Sequence, residues 1–136
     1  MNHTCTDLTC FQFCIEKGGY LAEIKSSEEQ NQLQQIYGEK ASGYWIGLSD
    51  LEQEGHFQWQ QSMTPLEWSN WLGKGDICFF GMPSRENEPN NGFGMDHCVV
   101  VKPRCSWKWN DEQCEPSRSF FDAMWNSHYA LFEENY

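Results

Sequence analysis

The sequence predicts an α+β fold, and three features of the chain support that class. Two helix-type patterns come first, short strand-type patterns follow, and a long irregular stretch interrupts the strands. The 136 residues are enough for one hydrophobic core, which predicts a single domain over residues 1–136. The 7 Trp, 9 Phe and 5 Tyr supply large side chains for that core.

Two segments near the N-terminus predict the helices. Phe11 to Lys17 has a short apolar face and ends at Gly18-Gly19, which suits a glycine C-cap. The alternation of Tyr20–Ile24 predicts a strand, and a second helix follows it. A capping box for this helix fits in two registers, Ser26 with Glu29 or Ser27 with Gln30. Leu33, Ile36 and Tyr37 are predicted to form its buried stripe, and the helix is predicted to end near Gly38.

The remaining apolar segments are short and predict strands. They are Tyr44–Leu48, Phe57–Gln60, His97–Val101, Trp107–Asn110 and, at the end of the chain, Tyr129–Phe132. Trp68 to Glu88 has little periodicity, and an irregular stretch of that length in a compact domain is usually functional. The tryptophans expected in the core are Trp45, Trp59, Trp68 and Trp71.

The net charge of the chain restricts the classes of partner that are expected. The formal net charge is -11, from 20 Asp and Glu against 9 Lys and Arg. Phosphate backbones and anionic membrane surfaces would be repelled, so nucleic acid is not an expected partner. No apolar run approaches the roughly 20 residues that span a bilayer, so direct membrane insertion is not expected either. Cations are the expected ligands of such a surface.

Seven cysteines predict disulfides formed in an oxidising compartment, and therefore a secreted or extracellular location. The sequon Asn2-His3-Thr4 is consistent with secretion. The spacings among the cysteines do not match the paired short spacings of a cysteine zinc site.

Six stretches in a fixed order resemble one known family. They are CIEKGGYLAEIKSSEE (Cys14–Glu29), YWIGLSDLEQEGHFQW (Tyr44–Trp59), EWSNW (Glu67–Trp71), EPNN (Glu88–Asn91), DHCVVV (Asp96–Val101) and KWNDEQC (Lys108–Cys114). From Cys14 onward the chain closely resembles the C-type lectin-like domain, in its calcium-dependent, mannose-type branch. The resemblance implies two helices flanking antiparallel sheets, with a long loop that carries Ca²⁺ and sugar.

The resemblance implies a principal Ca²⁺ site that also binds the sugar, formed by Glu88, Asn90, Asp96, Asn110 and Asp111. All five offer oxygen, and three are carboxylates, which suits a hard cation. A cis bond before Pro89 is implied as well. Two adjacent sugar hydroxyls would coordinate the ion while hydrogen bonding to the acid and the amide. Chelation or acid should release ion and sugar together, because the carboxylates then repel one another or become protonated.

The order of acid and amide at Glu88 and Asn90 implies a sugar class. In this family it goes with mannose, glucose, N-acetylglucosamine and fucose, so the implied partners are glycans or glycoproteins with such terminal sugars. A weaker auxiliary Ca²⁺ site is implied at Asp50, Glu54 and Asn91. His97 stands where the family usually has an acid, which makes that second site a poorer calcium site.

The cysteines depart partly from the family pattern. The resemblance implies that Cys98 pairs with Cys114, while Cys78 in the Leu72–Asn87 insertion is expected to pair with Cys105. In that insertion Phe79, Phe80 and Met82 are expected to pack a small local core, with a secondary contact surface as the alternative. Three arrangements stay open for Cys5, Cys10 and Cys14: a Cys5–Cys10 bridge, a bridge from Cys14 to either of the others, or an intermolecular bridge that gives an oligomer.

The predicted function is calcium-dependent sugar binding rather than catalysis. His97 and Cys98 would lie on opposite faces of a strand, so they are not read as a catalytic pair. The alternative is the same fold used as a protein- or ice-binding module. The intact EPN and WND motifs favour sugar binding.

Overall fold

The computed structural model of the chain describes residues 4–37, 43–116, 119–120 and 122–124. Within them, two α-helices with one short strand between them are followed by mostly antiparallel strands, which confirms the predicted α+β class. The helices are α1 (Asp7–Glu16) and α2 (Ser27–Ile36). The strands are β1 (Gly19–Leu21), β2 (Tyr44–Ser49), β3 (Gln58–Trp59), β4 (Cys98–Lys102), β5 (Lys108–Glu112), β6 (Ser119–Phe120) and β7 (Asp122–Met124). The predicted strand Tyr129–Phe132 lies outside the described residues.

Side-chain caps decide where the two helices begin. Thr6 caps α1 by accepting a hydrogen bond from the Thr9 amide, so the helix starts four residues before the predicted Phe11. Ser26 caps α2 by accepting from the Glu29 amide at 3.2 Å. The Glu29 carboxylate in turn accepts from the amide of Lys25 at 2.8 Å. The first of the two predicted capping registers is therefore the one adopted.

The buried side of α2 differs from the predicted stripe at one position. Gln30, Leu33 and Tyr37 are buried, whereas Ile36 is 55% exposed, so the prediction that Ile36 is buried is wrong. Gln30 and Leu33 set the direction that faces the core, and Ile36 lies about 90° from it at 100° per residue. Neither helix exceeds ten residues, and no helix in the described part of the chain could cross a membrane.

The pairing of strand β4 with β2 and β5 determines where the ends of these three strands lie. In the described part of the chain a five-stranded sheet has the order β3-β2-β4-β5, with β6 pairing parallel to β2, while β1 and β7 form a separate pair. Strand β4 pairs with β5 in a register that sets Val99 opposite Asp111 and Val100 opposite Asn110. It also pairs with β2, so that Ser49 lies opposite Cys98. The ends of β2, β4 and β5 therefore meet.

Trp109 on β5 lies at the centre of the core. Its ring is fully buried and meets the rings of Trp59, Trp68 and Trp71 edge to face, with centroids 6.0, 5.8 and 5.7 Å away. Trp45 and Trp59 are buried as predicted, while Trp68 and Trp71 are half-buried and pack against the core. Because Trp109 precedes Asn110, this packing also fixes the strand segment that carries Asn110 and Asp111.

The disulfides hold the loops to this core. The bridges are Cys98–Cys114, Cys78–Cys105 and Cys5–Cys10. The first closes the ends of β4 and β5, and the second attaches the Leu72–Asn87 insertion to the turn before β5. Of the three arrangements left open by the sequence, the N-terminal cysteines adopt the Cys5–Cys10 bridge, and the Cys14 thiol is buried in a cluster with Leu21 and Trp45.

Gln30 links α2 to β5 through the core. It is 3% exposed, its Oε1 accepts from the indole N–H of Trp109 at 3.0 Å, and its Nε2 donates to the carbonyl of Trp107 at 3.0 Å. Replacement of Gln30 by alanine would leave the buried indole N–H of Trp109 without its hydrogen bond, and the Trp107 carbonyl with only the donor Asn70 Nδ2 at 3.3 Å. We expect Gln30→Ala to lower the free energy of unfolding by about 1–3 kcal/mol in chemical denaturation.

Gln32→Ala is the matched control, because Gln32 is exposed on the same helix. It should change the free energy of unfolding by no more than about 0.5 kcal/mol. Equal losses from both substitutions would contradict the role assigned to Gln30.

Asp7 is a buried carboxyl that lacks a full set of partners. It is 3% exposed, and its Oδ2 accepts from Gln60 Nε2 at 3.1 Å. Asp7 Oδ1 and Gln60 Oε1 are buried and have no hydrogen-bond partner among the described residues. Burial raises the pKa of Asp7 from 3.8 to about 6, against the lowering effect of the Gln60 hydrogen bond.

This raised pKa predicts a pH-dependent stability. The folded state binds the proton more tightly than the unfolded state, so protonation of Asp7 favours folding. This contribution is fully present below about pH 4, the unfolded-state pKa, and is lost as the pH rises through about 6. Asp7→Asn removes the titration, and its Nδ2 can donate to Gln60 Oε1.

The unfolding free energy of Asp7→Asn minus that of wild type should therefore rise by roughly 2 kcal/mol between pH 4 and pH 7. Urea denaturation across this pH range measures the difference. Glu16→Gln, which neutralises an exposed carboxylate on the same helix, should give no comparable trend. Parallel profiles for Asp7→Asn and wild type would refute the assignment.

Candidate functional site

The segment that contains Glu88 and Asn90 is held against β5 by one carboxylate. Asp111 is 1% exposed, and its two oxygens accept from the backbone amides of Asn90 at 3.0 Å and Asn91 at 2.7 Å. At the other side, the Glu88 amide donates to the Leu72 carbonyl at 2.8 Å. The Glu88–Pro89 peptide bond is cis, as the resemblance implied. These hydrogen bonds therefore hold the Glu88–Asn91 segment beside Asp111.

Two oxygens in this region are buried and lack partners. Glu88 Oε1 and Asn110 Oδ1 have no hydrogen bond among the described residues. The orientation of Asn110 is fixed from behind, because its Nδ2 donates to Glu112 at 2.9 Å and Glu112 is paired with Lys102 at 2.6 Å. Since an unsatisfied buried acceptor costs free energy, these two oxygens indicate a site for a donor or a cation.

The electrostatics of the site favour positive charge. Burial, and then the neighbouring carboxyls of Asp111 and Glu86, raise the pKa of Glu88 to about 8. Burial and then the Asp111 charge also raise the pKa of Asp96. Both shifts arise because carboxylates are brought together with partial loss of water. A cation among them would offset this repulsion.

Asp96 approaches from the loop before β4. Its backbone amide donates to Asn91 Oδ1 at 3.2 Å, which links it to the segment held by Asp111. A Cβ atom at Gly92 would lie 2.7 Å from Asp96 Oδ2, so a larger residue there would displace this carboxylate from its present position. Asp96 is half-buried and is close enough to feel the Asp111 charge. Glu88, Asn90 and Asp96 of the predicted principal set thus lie around Asp111, while Asn110 precedes Asp111 on β5.

The three predicted carboxylates of that region do not form a compact group of three. Among the described residues, only Asp50, Glu54 and His97 form a group of three His, Cys, Asp or Glu side chains whose ligand atoms all lie within 4.8 Å. The Glu88 and Asp111 carboxyls are close enough to interact directly, but together with Asp96 they do not form such a group of three. The oxygens are in the right region but are not drawn together into a compact cluster.

The predicted auxiliary residues are arranged around His97. His97 Nδ1 lies 3.0 Å from Asp50 Oδ1 and 3.1 Å from Glu54 Oε1. Asp50 Oδ2 accepts from the Gly55 amide at 2.9 Å. Asn91, the third predicted ligand, uses its Oδ1 to accept from the Asp96 amide.

Three residues outside the predicted set also shape the site. Glu86 Oε2 accepts from Asn90 Nδ2 at 2.6 Å, while Glu112 and Lys102 orient Asn110. The alternation of a strand gives a signal for Glu112, since residues 110 and 112 share one face. Glu86 lies in the irregular insertion, where no periodicity or motif marks it.

The Leu72–Asn87 insertion differs from the prediction made for its apolar side chains. Phe80 is 100% exposed and Met82 is 59% exposed, so the prediction that they pack a local core is wrong. The segment is a tight turn in which the Cys78 amide donates to the Met82 carbonyl at 2.7 Å, and Phe80 adopts a left-handed φ of 58°. Backbone bonds and the Cys78–Cys105 bridge hold the turn, which leaves these apolar side chains in solvent.

Two helices, a central antiparallel sheet and a long loop lined with oxygen atoms define a lectin-like domain. The profile of the C-type lectin domain matches residues 5–121, and the chain belongs to that family. Salivary C-type lectin 2 of Aedes albopictus is 30% identical over 129 residues, which cover 88% of this chain and 77% of that protein. The low affinity immunoglobulin epsilon Fc receptor of Mus musculus is 38% identical over 110 residues, 81% of this chain but 27% of the receptor.

Solved structures share the fold. The C-type carbohydrate-recognition domain of cow CD23, determined in the presence of a GlcNAc2Man3 oligosaccharide, superposes with a TM-score of 0.68 at 30% identity and covers 87% of this chain and 78% of that one. A calcium-independent type II antifreeze protein superposes with a TM-score of 0.66 at 26% identity, over 86% and 76% of the two chains. The fold is thus shared by proteins of different function.

Proposed function

We propose that this chain is a single carbohydrate-recognition domain, secreted or extracellular, that binds mannose-type sugars on glycans through a Ca²⁺ ion. Two observations carry the proposal: Glu88 Oε1 and Asn110 Oδ1 are buried without a hydrogen bond among the described residues, and Glu88 interacts with the buried carboxyl of Asp111. The proposed ligands of the principal ion are Glu88, Asn90, Asp96, Asn110 and Asp111.

The donor set fits Ca²⁺ by its chemistry. Every proposed ligand offers oxygen, and Ca²⁺ takes six to eight oxygen ligands, some of them from water or a bound molecule. The ion, when bound, would supply coordination to two adjacent sugar hydroxyls. The raised pKa of Glu88 supports the proposal, because its burial and the Asp111 carboxyl disfavour the ionised form until a cation is present.

The side chains of the chain would orient the sugar. The Glu88 carboxylate can accept a hydrogen bond from one hydroxyl, and Asn90 Nδ2 can donate to the other. Asn90 is exposed, but its Nδ2 donates to Glu86 at 2.6 Å, so a hydroxyl would compete with that carboxylate. The acid-then-amide order favours mannose, glucose, N-acetylglucosamine and fucose. The cow relative, determined with a mannose-containing oligosaccharide, supports a ligand of this class.

A protein- or ice-binding role is the second candidate. The likeness to a calcium-independent antifreeze protein and the exposed Phe80 and Met82 favour it. A domain of that kind would not respond to free mannose. Sugar binding is favoured because such a surface would leave the unpartnered oxygens of Glu88 and Asn110 unexplained.

The first test is retention on immobilised mannose. We expect the wild-type chain to be retained with Ca²⁺ and released by chelator or by free mannose. Asn110→Ala removes one unpartnered oxygen and should weaken retention at least about tenfold, since a hydrogen bond or ligand to a charged group is lost. Asn31→Ala, exposed on α2, is the control and should bind as wild type. Retention that survives chelator would contradict the proposal, provided that thermal melting shows folded protein.

The second test exchanges the order of acid and amide. The double substitution Glu88→Gln with Asn90→Asp keeps the total charge and should shift preference from mannose to galactose. The control double substitution, Glu28→Gln with Asn31→Asp, makes the same change on the exposed side of α2 and should keep the mannose preference. Competition with the two free sugars measures the preference. An unchanged preference in the Glu88–Asn90 variant would argue against these two residues as the sugar contacts.

A further inference from the structure

The region of the auxiliary site does not fit a calcium ion. His97 presents a ring nitrogen, Nδ1, to both Asp50 and Glu54 where an oxygen ligand would be needed. Asn91 Oδ1 is already bonded to the Asp96 amide at 3.2 Å. Even with this amide oxygen, which has a second lone pair, the predicted set offers side-chain oxygens from only three residues, against the six to eight oxygens that Ca²⁺ takes.

We propose that Asp50, Glu54 and His97 instead form a site for a divalent transition-metal ion of the Zn²⁺ type. Imidazole suits Zn²⁺, which accepts mixed nitrogen and oxygen ligands, whereas Ca²⁺ prefers oxygen alone. Two carboxylates with a neutral imidazole also balance the charge of a divalent ion. This inference does not depend on the proposed sugar site.

The distances between the ligand atoms agree with tetrahedral coordination. With metal–ligand bonds of about 2.0–2.1 Å, two ligands of a tetrahedral ion lie about 3.3 Å apart. His97 Nδ1 lies 3.0 Å from Asp50 Oδ1 and 3.1 Å from Glu54 Oε1, so the nitrogen needs to move away from each of these oxygens by only a few tenths of an ångström. All three lie within 4.8 Å of one another.

The backbone holds two of the three ligands in place before any ion binds. Asp50 follows β2, its side chain is 0% exposed, and its Oδ2 is fixed by the Gly55 amide at 2.9 Å. The Asp50 amide donates to the carbonyl of His97 at 3.1 Å, which ties the end of β2 to the start of β4. Such contacts behind the ligands orient them and raise metal affinity.

One side of the group remains accessible. The side chains of His97 and Glu54 are 28% and 51% exposed, so an ion can enter and keep a water as a fourth ligand. The geometry therefore provides a buried carboxylate, a half-buried imidazole and an exposed carboxylate that closes over the ion. Glu54 would move most, because it is the most exposed of the three.

The test is a titration of the metal-stripped full chain, without any histidine tag, with ZnCl2 in the presence of excess CaCl2. Isothermal calorimetry should show one Zn²⁺ per chain that calcium does not displace. His97→Gln should weaken this binding at least about 100-fold, since even the loss of an outer contact costs 10–100-fold. His56→Gln is the matched control, because His56 is exposed on the same loop outside the group, and it should bind as wild type.

Two further variants keep the result decisive if His97→Gln folds poorly. Glu54→Gln alters only the exposed ligand and should also weaken Zn²⁺ binding, with the Co²⁺ derivative losing its tetrahedral visible absorption bands. His97→Asp supplies an oxygen ligand and should reverse the preference, so that Ca²⁺ binds and Zn²⁺ is displaced. Equal Zn²⁺ affinity in Glu54→Gln, His97→Gln and His56→Gln, or displacement of Zn²⁺ by calcium from wild type, would overturn the proposal.

Discussion

The Asp111 carboxylate is the interaction on which the functional loop depends. It lies on β5, is almost fully buried, and accepts from the backbone amides of Asn90 and Asn91. Hydrogen bonds to a charged acceptor are stronger than those between neutral groups, and burial strengthens them further. An irregular segment with few packed apolar side chains is thereby held against a strand whose position the core determines.

The position of Asp111 follows in turn from the packing of Trp109. The indole ring is enclosed by Trp59, Trp68 and Trp71, and its N–H is bonded to Gln30. In a close-packed interior such a ring cannot shift without disturbing its neighbours. Asn110 and Asp111 follow it directly on a paired strand, so the core sets where the site lies. The loop is therefore irregular in sequence but fixed in place.

The parts of the fold that the sequence predicted well are those governed by local chemistry. Ser26 marks the start of α2 because a serine cap works through contacts within one turn. Ile36 is predicted in the buried stripe of α2 with Leu33 and Tyr37, and Phe80 in a small local core of the insertion. Their exposure depends on the direction of the core and on a turn held by Cys78 and Met82, neither of which a local pattern contains.

The residues of the candidate site also fall into two groups, those that the sequence predicted and those that it did not. Motifs carried over from a resembling family identified the oxygen-bearing residues, because ligand chemistry is a property of residue type. They did not identify Glu86 or Glu112, which act through contacts with Asn90 and Asn110. Strand alternation could have found Glu112, whereas Glu86 meets Asn90 only because the insertion folds back on itself.

The two candidate ion sites are joined through Asn91 and Asp96. The Asn91 amide donates to Asp111, and the Asn91 side chain accepts from the Asp96 amide. These hydrogen bonds connect the loop segments that a calcium ion at the auxiliary site would otherwise connect. His97 continues this arrangement by contacting both Asp50 and Glu54. The proposed calcium ion therefore binds at the principal site, where Glu88 Oε1 and Asn110 Oδ1 are buried without a hydrogen bond among the described residues. Because His97 offers nitrogen where the family usually has an acid, the two proposed sites select different metals. The principal site would bind the Ca²⁺ that coordinates the sugar, and the site at His97 would bind a Zn²⁺-type ion that connects β2 to β4.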